Sequence, residues 1–391
     1  PDDTADDDTA DDDTADDDAT DDTASDDAAD DTASDGTADD PDVSATSDPA
    51  FAEIDATVAA FVEDRGLNGA GLAIVDAEDG VVHEAYWGEF EPNRASFIAS
   101  SSKQLVAGVM LRLQDEGLLD IDAPLPEIVG DDWGPGVADI TVAQMLSNSS
   151  GLVGLVPNPL YPPYLCQFFG EQQLEECGAT IATTDDDDAE VAPPDSEFRY
   201  GGGQWQVAGA VAEYVSGETW DELIDRIYVE PCGLSEGFGF DNHWGVIGDG
   251  FTYPADFDGD LSQLPDATNP HMEGGAYSTV PDYAELLLLH LRGGECPNGP
   301  VVSQAALDTM HADRVAAAYG GNAGGATTGY GMGWWIDRET GRISDGGAYG
   351  SQPWLDLDDG YGAYLVVEAD SSVGQALAGE IEELVHTAMT T

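Results

Sequence analysis

Ser100-Ser101-Ser102-Lys103 is the segment of this sequence best suited to covalent chemistry. A serine and a lysine three positions apart on a helix share a face, with Cβ atoms about 5–6 Å apart. A helix N-terminus favours developing negative charge, which helps an alkoxide form. A nearby amine can take the serine proton if burial lowers its own pKa. S-x-x-K alone is a weak signal, but here composition adds to it: Lys103 is the sole lysine of 391 residues. Arginine stays protonated and cannot act as a base. A chain that keeps one lysine, and keeps it here, needs an amine at this place; the bland alternative is a surface lysine beside serines. Tyr200, in Phe198-Arg199-Tyr200-Gly201-Gly202, is a second candidate, because a neighbouring ammonium lowers a tyrosine's pKa and lets it shuttle protons. Its bland alternative is a core aromatic at a turn.

The elements around these residues follow from hydrophobic spacing. Leu105, Val106, Val109, Met110 and Leu113 recur at helical intervals, and Gly117 closes that helix, placing Ser100–Lys103 at its N-terminus. Asp48-Pro49 predicts an earlier helix start, with Phe51, Ile54, Val58, Phe61 and Val62 on one face and Gly66 ending it. Gly71–Val75 and Val81–Trp87, joined near Asp79-Gly80, predict a hairpin. Residues 153–198 are loop-rich. Helices are expected at Trp205–Val215, Thr219–Val229 and Tyr283–Leu291, then strands at Tyr330–Asp337, Gln352–Leu357 and Tyr361–Glu368, and a last helix at Val373–Met389. This order predicts an α+β fold with a helical lobe inserted into a sheet domain.

Charge narrows the partners. Eighty acidic residues stand against ten basic ones. Residues 1–48 hold 22 of the acidic residues and none of the basic, which leaves residues 49–391 at net −48. Phosphate recognition needs a basic face, so nucleic acid is excluded as a partner, and an anionic membrane surface is disfavoured. The Thr-Ala-Asp-Asp-Asp repeats of residues 1–42 cannot form a core and read as a disordered spacer. Their spacing does not match an EF-hand. With 41% hydrophobic residues the remainder can still bury one. No run of about 18 apolar residues spans a membrane. The chain begins at Pro1, which reads as a leader already removed. Cys166, Cys177, Cys232 and Cys296 contain no CxxC pair, so two disulfides, Cys166–Cys177 and Cys232–Cys296, are expected over a metal or redox site, with four buried free thiols as the alternative. Together these features place the protein outside the cytoplasm, secreted, periplasmic or tethered at the cell surface through the spacer. The acidity further fits a salty habitat, where self-repulsion is screened.

At this point the chain resembles the serine β-lactamase and penicillin-binding-protein family, closest to class C β-lactamases and the related esterases and D-Ala-D-Ala carboxypeptidases. The resemblance covers most of residues 49–391. Phe97-Ile98-Ala99-Ser100-Ser101-Ser102-Lys103 is similar to the nucleophile segment, and Gly117–Pro124 to the turn after its helix. Ile140-Thr141 through Ser149-Ser150-Gly151-Leu152, Gly274–Thr279 with Asp282-Tyr283-Ala284, and Tyr330–Trp334 resemble further family blocks. The resemblance implies a β-lactamase/transpeptidase-like fold, an antiparallel sheet flanked by helices, with a sheet lobe at about 49–97 and 245–391 and a helical lobe at about 98–244. It implies Ser100 as nucleophile, Lys103 as its base partner and Tyr200 as second proton shuttle, with no cofactor and no metal. The oxyanion hole is expected from the backbone N–H groups of Ser100 and Gly347; the alternative for Gly346-Gly347 is a simple turn.

Two departures bear on substrate. The asparagine of Tyr-x-Asn is Gly202 here. The third motif, in the family Lys-Thr-Gly or His-x-Gly, aligns with Ser344-Asp345-Gly346-Gly347, so its cation is missing and an acid stands beside its place. Without that cation, and at net −48, carboxylate-bearing substrates are disfavoured. A carboxylesterase on neutral esters is therefore expected, with a D-Ala-D-Ala carboxypeptidase or β-lactamase, or a non-catalytic cell-surface binding protein, as alternatives. Gly233-Leu234-Ser235-Glu236-Gly237 matches G-x-S-x-G but lacks the strand–turn–helix context. Asp256–Asp260 lacks the glycine and glutamate positions of a calcium loop. Trp205, Tyr161, Tyr164, Phe168, Trp334 and Tyr349 could line a pocket or fill the core.

Overall fold

A computed structural model describes residues 49–155, 158–185, 190–243, 252–254 and 257–391. The expectations for the acidic tail, for an Asp48 cap and for Asp256 fall outside these residues.

In chain order, helix α1 (Ala52–Arg65) leads to strands β1 (Gly69–Asp76), β2 (Gly80–Gly88) and β3 (Ser96–Phe97). Helices α2 (Lys103–Asp115), α3 (Leu125–Val129), α4 (Val142–Leu146), α5 (Leu174–Ala182), α6 (Gly203–Ser216), α7 (Trp220–Ile224) and α8 (Glu230–Cys232) follow. Next come β4 (Gly239–Phe240), β5 (Ala276–Ser278), α9 (Val280–Leu291) and the short pair β6 (Glu295–Cys296) and β7 (Gly299–Pro300). Helices α10 (Gln304–His311) and α11 (Arg314–Tyr319) precede β8 (Thr328–Tyr330), β9 (Trp335–Asp337), β10 (Ile343–Ser344), β11 (Ser351–Asp356), β12 (Tyr361–Val366) and α12 (Ser371–Thr390).

The main sheet has seven strands in the order β2-β1-β12-β11-β10-β9-β8, and its neighbouring pairs are antiparallel. Period-two alternation on β1 explains why both faces are covered. Leu72 and Ile74 pack with Ile54 and Val58 of α1 and Leu377 and Ile381 of α12. Ala73 and Val75 face the opposite way and join the larger core with Leu286 and Leu287 of α9. The β-lactamase/transpeptidase-like α+β architecture is therefore present, an antiparallel sheet between helical layers. Helix α2 runs through the larger core, with Leu105, Val106, Val109, Met110 and Leu113 at zero exposure, so its N-terminus is held rigidly.

Several local expectations differ. Helix α1 begins at Ala52 rather than at Pro49, with buried Phe51 at the cap and no side-chain cap bond. Tyr330–Asp337 is not one strand but the hairpin β8–β9, turned at Gly331–Trp334. An unbroken apolar run cannot distinguish a strand from a buried turn. Here Gly333, at φ 82°, lies against the α2 backbone, where a Cβ would come within 2.6 Å of Gln104 Cα. The stretch read as loop contains α5, whose Leu174, Cys177 and Ile181 are buried. Both expected disulfides, Cys166–Cys177 and Cys232–Cys296, are formed. The first ties α5 to the 3₁₀ turn Pro162–Phe168.

Candidate active site

Ser100 sits in a 3₁₀ turn, Ala99–Ser102, immediately before α2. Ala99 adopts φ 46°, a left-handed conformation costly for a residue with a Cβ, and this kink aims the next side chain outward. The three serines have separate duties. Ser101 Oγ donates to Asp345 O at 2.5 Å and contacts Ser351 Oγ at 2.8 Å, which staples the turn to the third motif. Ser102 Oγ donates to Ala99 O at 2.6 Å and accepts from Ala276 N at 2.9 Å, which staples it to β5. Ser100 alone of the three lines the cavity.

Lys103 has zero exposure. Its Nζ donates to Ser100 Oγ at 2.9 Å and to Glu273 O at 2.8 Å, and lies 3.5 Å from Glu273 Oε2. The ammonium also stands 4.6 Å from the centroid of the Tyr200 ring. Tyr200 is held by an aromatic cluster, with Trp335 at 5.1 Å and Tyr330 at 6.4 Å between centroids. Its hydroxyl engages Ser100 and Lys103. The backbone after it is fixed by Asn148, whose Oδ1 accepts from Gly201 N, Trp205 Nε1 and Gln204 Nε2 at 2.9, 2.9 and 3.1 Å.

The third-motif residues meet this cluster from strand β10 and the segment after it. Ser344, Gly346, Gly347 and Ala348 line the cavity, while Asp345 points inward and is wholly buried. Glycine is required at 347: a Cβ there would lie 2.1 Å from Ile98 O, two residues before Ser100. The Gly347 N–H, expected in the oxyanion hole, instead donates to Ser351 O at 2.8 Å. The next N–H, of Ala348, has no acceptor among the described residues.

The cavity is about 520 Å³. Leu155, Trp335, Tyr349 and Gln352 form walls, and no lysine or arginine lines it. Arg199, next to Tyr200, turns away to Glu197 Oε1 at 2.7 Å and to the Glu190 carbonyl. Of the aromatics considered from sequence, Tyr349 lines the cavity; Trp205, Trp334 and Tyr164 are buried core. Ser235 caps nothing catalytic: its Oγ donates to Asp282 Oδ2 at 2.6 Å. Among the described residues one grouping of potential metal ligands occurs, Asp356, Asp359 and His386, and none of the three lines the cavity.

Electrostatics correct one expectation. Burial depresses the Lys103 pKa, as anticipated, but Tyr200, Glu273 and Asp345 act against it and prevail, so the net shift is upward. Lys103 is an ammonium at neutral pH. Tyr200 is also raised, by burial and by Asp345, against the lowering effect of Lys103. Burial pushes the Asp345 carboxyl well above its ordinary range, against the lowering effect of Lys103. His271, beneath the pair, is depressed to about 3 by burial and by Lys103, so it is uncharged.

The Beta-lactamase family model matches residues 54–386. The chain belongs to this family. Penicillin-binding protein 4 of Amycolatopsis lactamdurans is 24% identical over 331 residues, covering 78% of this chain and 81% of that one. The Esterase/beta-lactamase LipL of Mycobacterium tuberculosis is 31% identical over 120 residues, 29% of this chain and 28% of LipL. Among solved structures, EstCE1, a hydrolase with promiscuous acyltransferase activity, superposes with TM-score 0.67 at 19% identity, covering 88% of this chain and 99% of that one. In this Beta-lactamase-family chain the sequence reading had missed Asn148 and Glu273 as parts of the site. Asn148 stood inside a block already matched to the family, and its type, a buried amide beside a glycine turn, was the available signal.

Proposed function

We propose that this chain is a serine hydrolase that works through an acyl-enzyme on neutral esters. The absence of lysine and arginine from the cavity lining among the described residues, with the buried carboxyl of Asp345 beside the place of the usual cation, carries the preference. A substrate carboxylate entering here would lose its water without gaining a counter-charge. A neutral acyl group would instead meet Leu155, Trp335 and Tyr349.

Ser100 Oγ attacks the ester carbonyl, forming the C–O bond of a tetrahedral intermediate. Its proton passes to the Lys103–Tyr200 pair once that pair has released one proton to solvent. The oxyanion lies between the N–H groups of Ser100 and Ala348, the latter replacing Gly347 in this role because its donor is free. Collapse expels the alcohol, which takes the proton back, and water then cleaves the acyl-enzyme by the same route in reverse. The likeness to penicillin-binding protein 4 over most of the chain favours D-Ala-D-Ala carboxypeptidase chemistry as the second reading.

Hydrolysis of p-nitrophenyl acetate and butyrate, a chromogenic cephalosporin and a D-Ala-D-Ala peptide decides between them. Ester turnover that exceeds the others and disappears in Ser100→Ala is expected; cephalosporin or peptide turnover rivalling the esters refutes the preference. The two disulfides and the acidic repeats together support a location outside the cytoplasm, with residues 1–48 as a spacer.

A further inference from the structure

We infer that Glu273 is a positioning residue for Lys103, seated against the Gly201-Gly202 turn of the second motif. The inference rests on the serine-hydrolase reading above.

Gly202 cannot bear the usual side chain. Its φ is +81°, and a Cβ would lie 2.7 Å from Val153 O. The polar group that an asparagine would supply has to come from elsewhere in the fold. Glu273, 4% exposed, reaches into that space from the segment before β5. Its Oε2 accepts from Gly202 N at 2.9 Å and stands 3.5 Å from Lys103 Nζ. A Cβ on Gly201 would come within 2.3 Å of the same oxygen, so a glycine at 201 makes room for the carboxylate. The Glu273 carbonyl takes a further Nζ hydrogen at 2.8 Å. One residue therefore holds the ammonium at two points, and Ser100 Oγ is the third.

The ionisable groups facing Lys103 from the packed elements are Tyr200 after α5, His271 and Glu273 before β5, and Asp345 after β10. Tyr283 on α9 and Tyr330 on β8 lie behind Asp345. None is a cation: His271 is held neutral, and its Nε2 is 3.7 Å from Glu273 Oε1. Burial disfavours a charge on Asp345, whereas Glu273 Oε2 lies in ion-pair range of Nζ, so Glu273 is the counter-ion that fixes where the ammonium sits and how tightly it keeps its proton.

The sole lysine makes this testable at one atom. In protein labelled with ¹⁵Nζ-lysine, Lys103 is the only lysine resonance, and its titration can be read in wild type and in Glu273→Gln. The variant keeps size and a hydrogen-bond acceptor but loses the charge. The expected result is a Lys103 midpoint lowered by about one pH unit or more. The pH profile of Ser100 labelling by a fluorophosphonate should move to lower pH by a similar amount, with a plateau rate reduced about tenfold. An unchanged midpoint and profile in a folded variant overturn the inference. Should Glu273→Gln fail to fold, Glu273→Asp, which withdraws the charge from Nζ, is read by the same resonance with the same criterion. A wild type that resists the fluorophosphonate refutes the hydrolase reading instead, and the lysine titration distinguishes the two failures.

Discussion

Replacing Gly347 by alanine tests how the oxyanion hole is built. The added Cβ would lie 2.1 Å from Ile98 O, whereas ordinary contacts begin at 3.4 Å, so the two backbones must part by roughly 1.3 Å. Neither side yields easily. Ile98 is wholly buried and its N–H donates to Ala276 O at 3.0 Å; Gly347 is tied to Ser351. Overpacking of this kind costs about 1–3 kcal/mol of stability. In a domain of this size that lowers the melting temperature by only a few degrees, about 2–4 °C per kcal/mol. The catalytic effect should be larger. A shift of about 1 Å carries the Ala348 N–H away from the Ser100 N–H, and misplacement on that scale costs roughly 10²-fold in rate, as does the loss of one oxyanion donor. The expected variant is folded, with kcat on p-nitrophenyl butyrate down about 10²-fold and KM little changed, because Leu155 and Trp335 stay in place. Calorimetry and steady-state kinetics on one preparation suffice. A Gly347→Ala enzyme that keeps half its kcat, or that loses kcat only in proportion to its unfolded fraction, refutes this account of the hole.

Three other outcomes are expected. Lys103 and Tyr200 are both raised, so the pair holds its two protons at neutral pH and the basic form appears as pH increases; kcat/KM should climb between about pH 6 and 9, and a flat profile would contradict it. Removing Cys232–Cys296, whose partners are 64 residues apart, should cost about 4 kcal/mol on the loop-entropy scale, against about 3 for Cys166–Cys177 at 11 residues, and urea unfolding of the two paired Cys→Ser variants would expose a reversed order. Ser344→Lys places a cation on the cavity wall and should raise kcat/KM for a carboxylate-bearing ester relative to its neutral isostere by about tenfold, or ~1.4 kcal/mol; no change in that ratio would mean that the missing cation does not set substrate charge.

How much of this was legible depended on the range of the interaction concerned. Ser100, Lys103 and Tyr200 could be picked out because short motifs and the solitary lysine mark them, and the structure places the three together. Helix α2 could be read from its own spacing. The β8–β9 turn could not, because what bends it is contact between Gly333 and the α2 backbone about 230 residues earlier. The direction of the Lys103 shift was hidden for the same reason. Burial is a local expectation for a lysine in an apolar helix, but Glu273 and Asp345, which reverse it, arrive from residues 170 and more positions away. Glu273 itself stands one residue before the Gly274–Thr279 block, where only the empty Cβ space at Gly201 and the bond to Gly202 N give it a meaning.

The acidity of the chain and the make-up of its site are linked by the proton balance at Lys103. A chain with nine arginines and one lysine can pair some of its carboxylates with groups that never titrate, as Arg226–Glu218 and Arg314–Asp195 do. Beside Ser100 the proposed mechanism bars that substitution, since it needs a group that can give up a proton. The amine is retained, and the carboxylates around it set its affinity for that proton. Burial beside a single cation works against a charge on Asp345. With Lys103 already paired to Glu273, no lysine or arginine among the described residues lines the cavity to meet a substrate carboxylate. The proposed neutral-ester preference and a proton-retentive lysine are then two consequences of the same charge pairing. An Asp345→Lys exchange would disturb both at once, whereas Ser344→Lys, on the cavity wall, should change only the first.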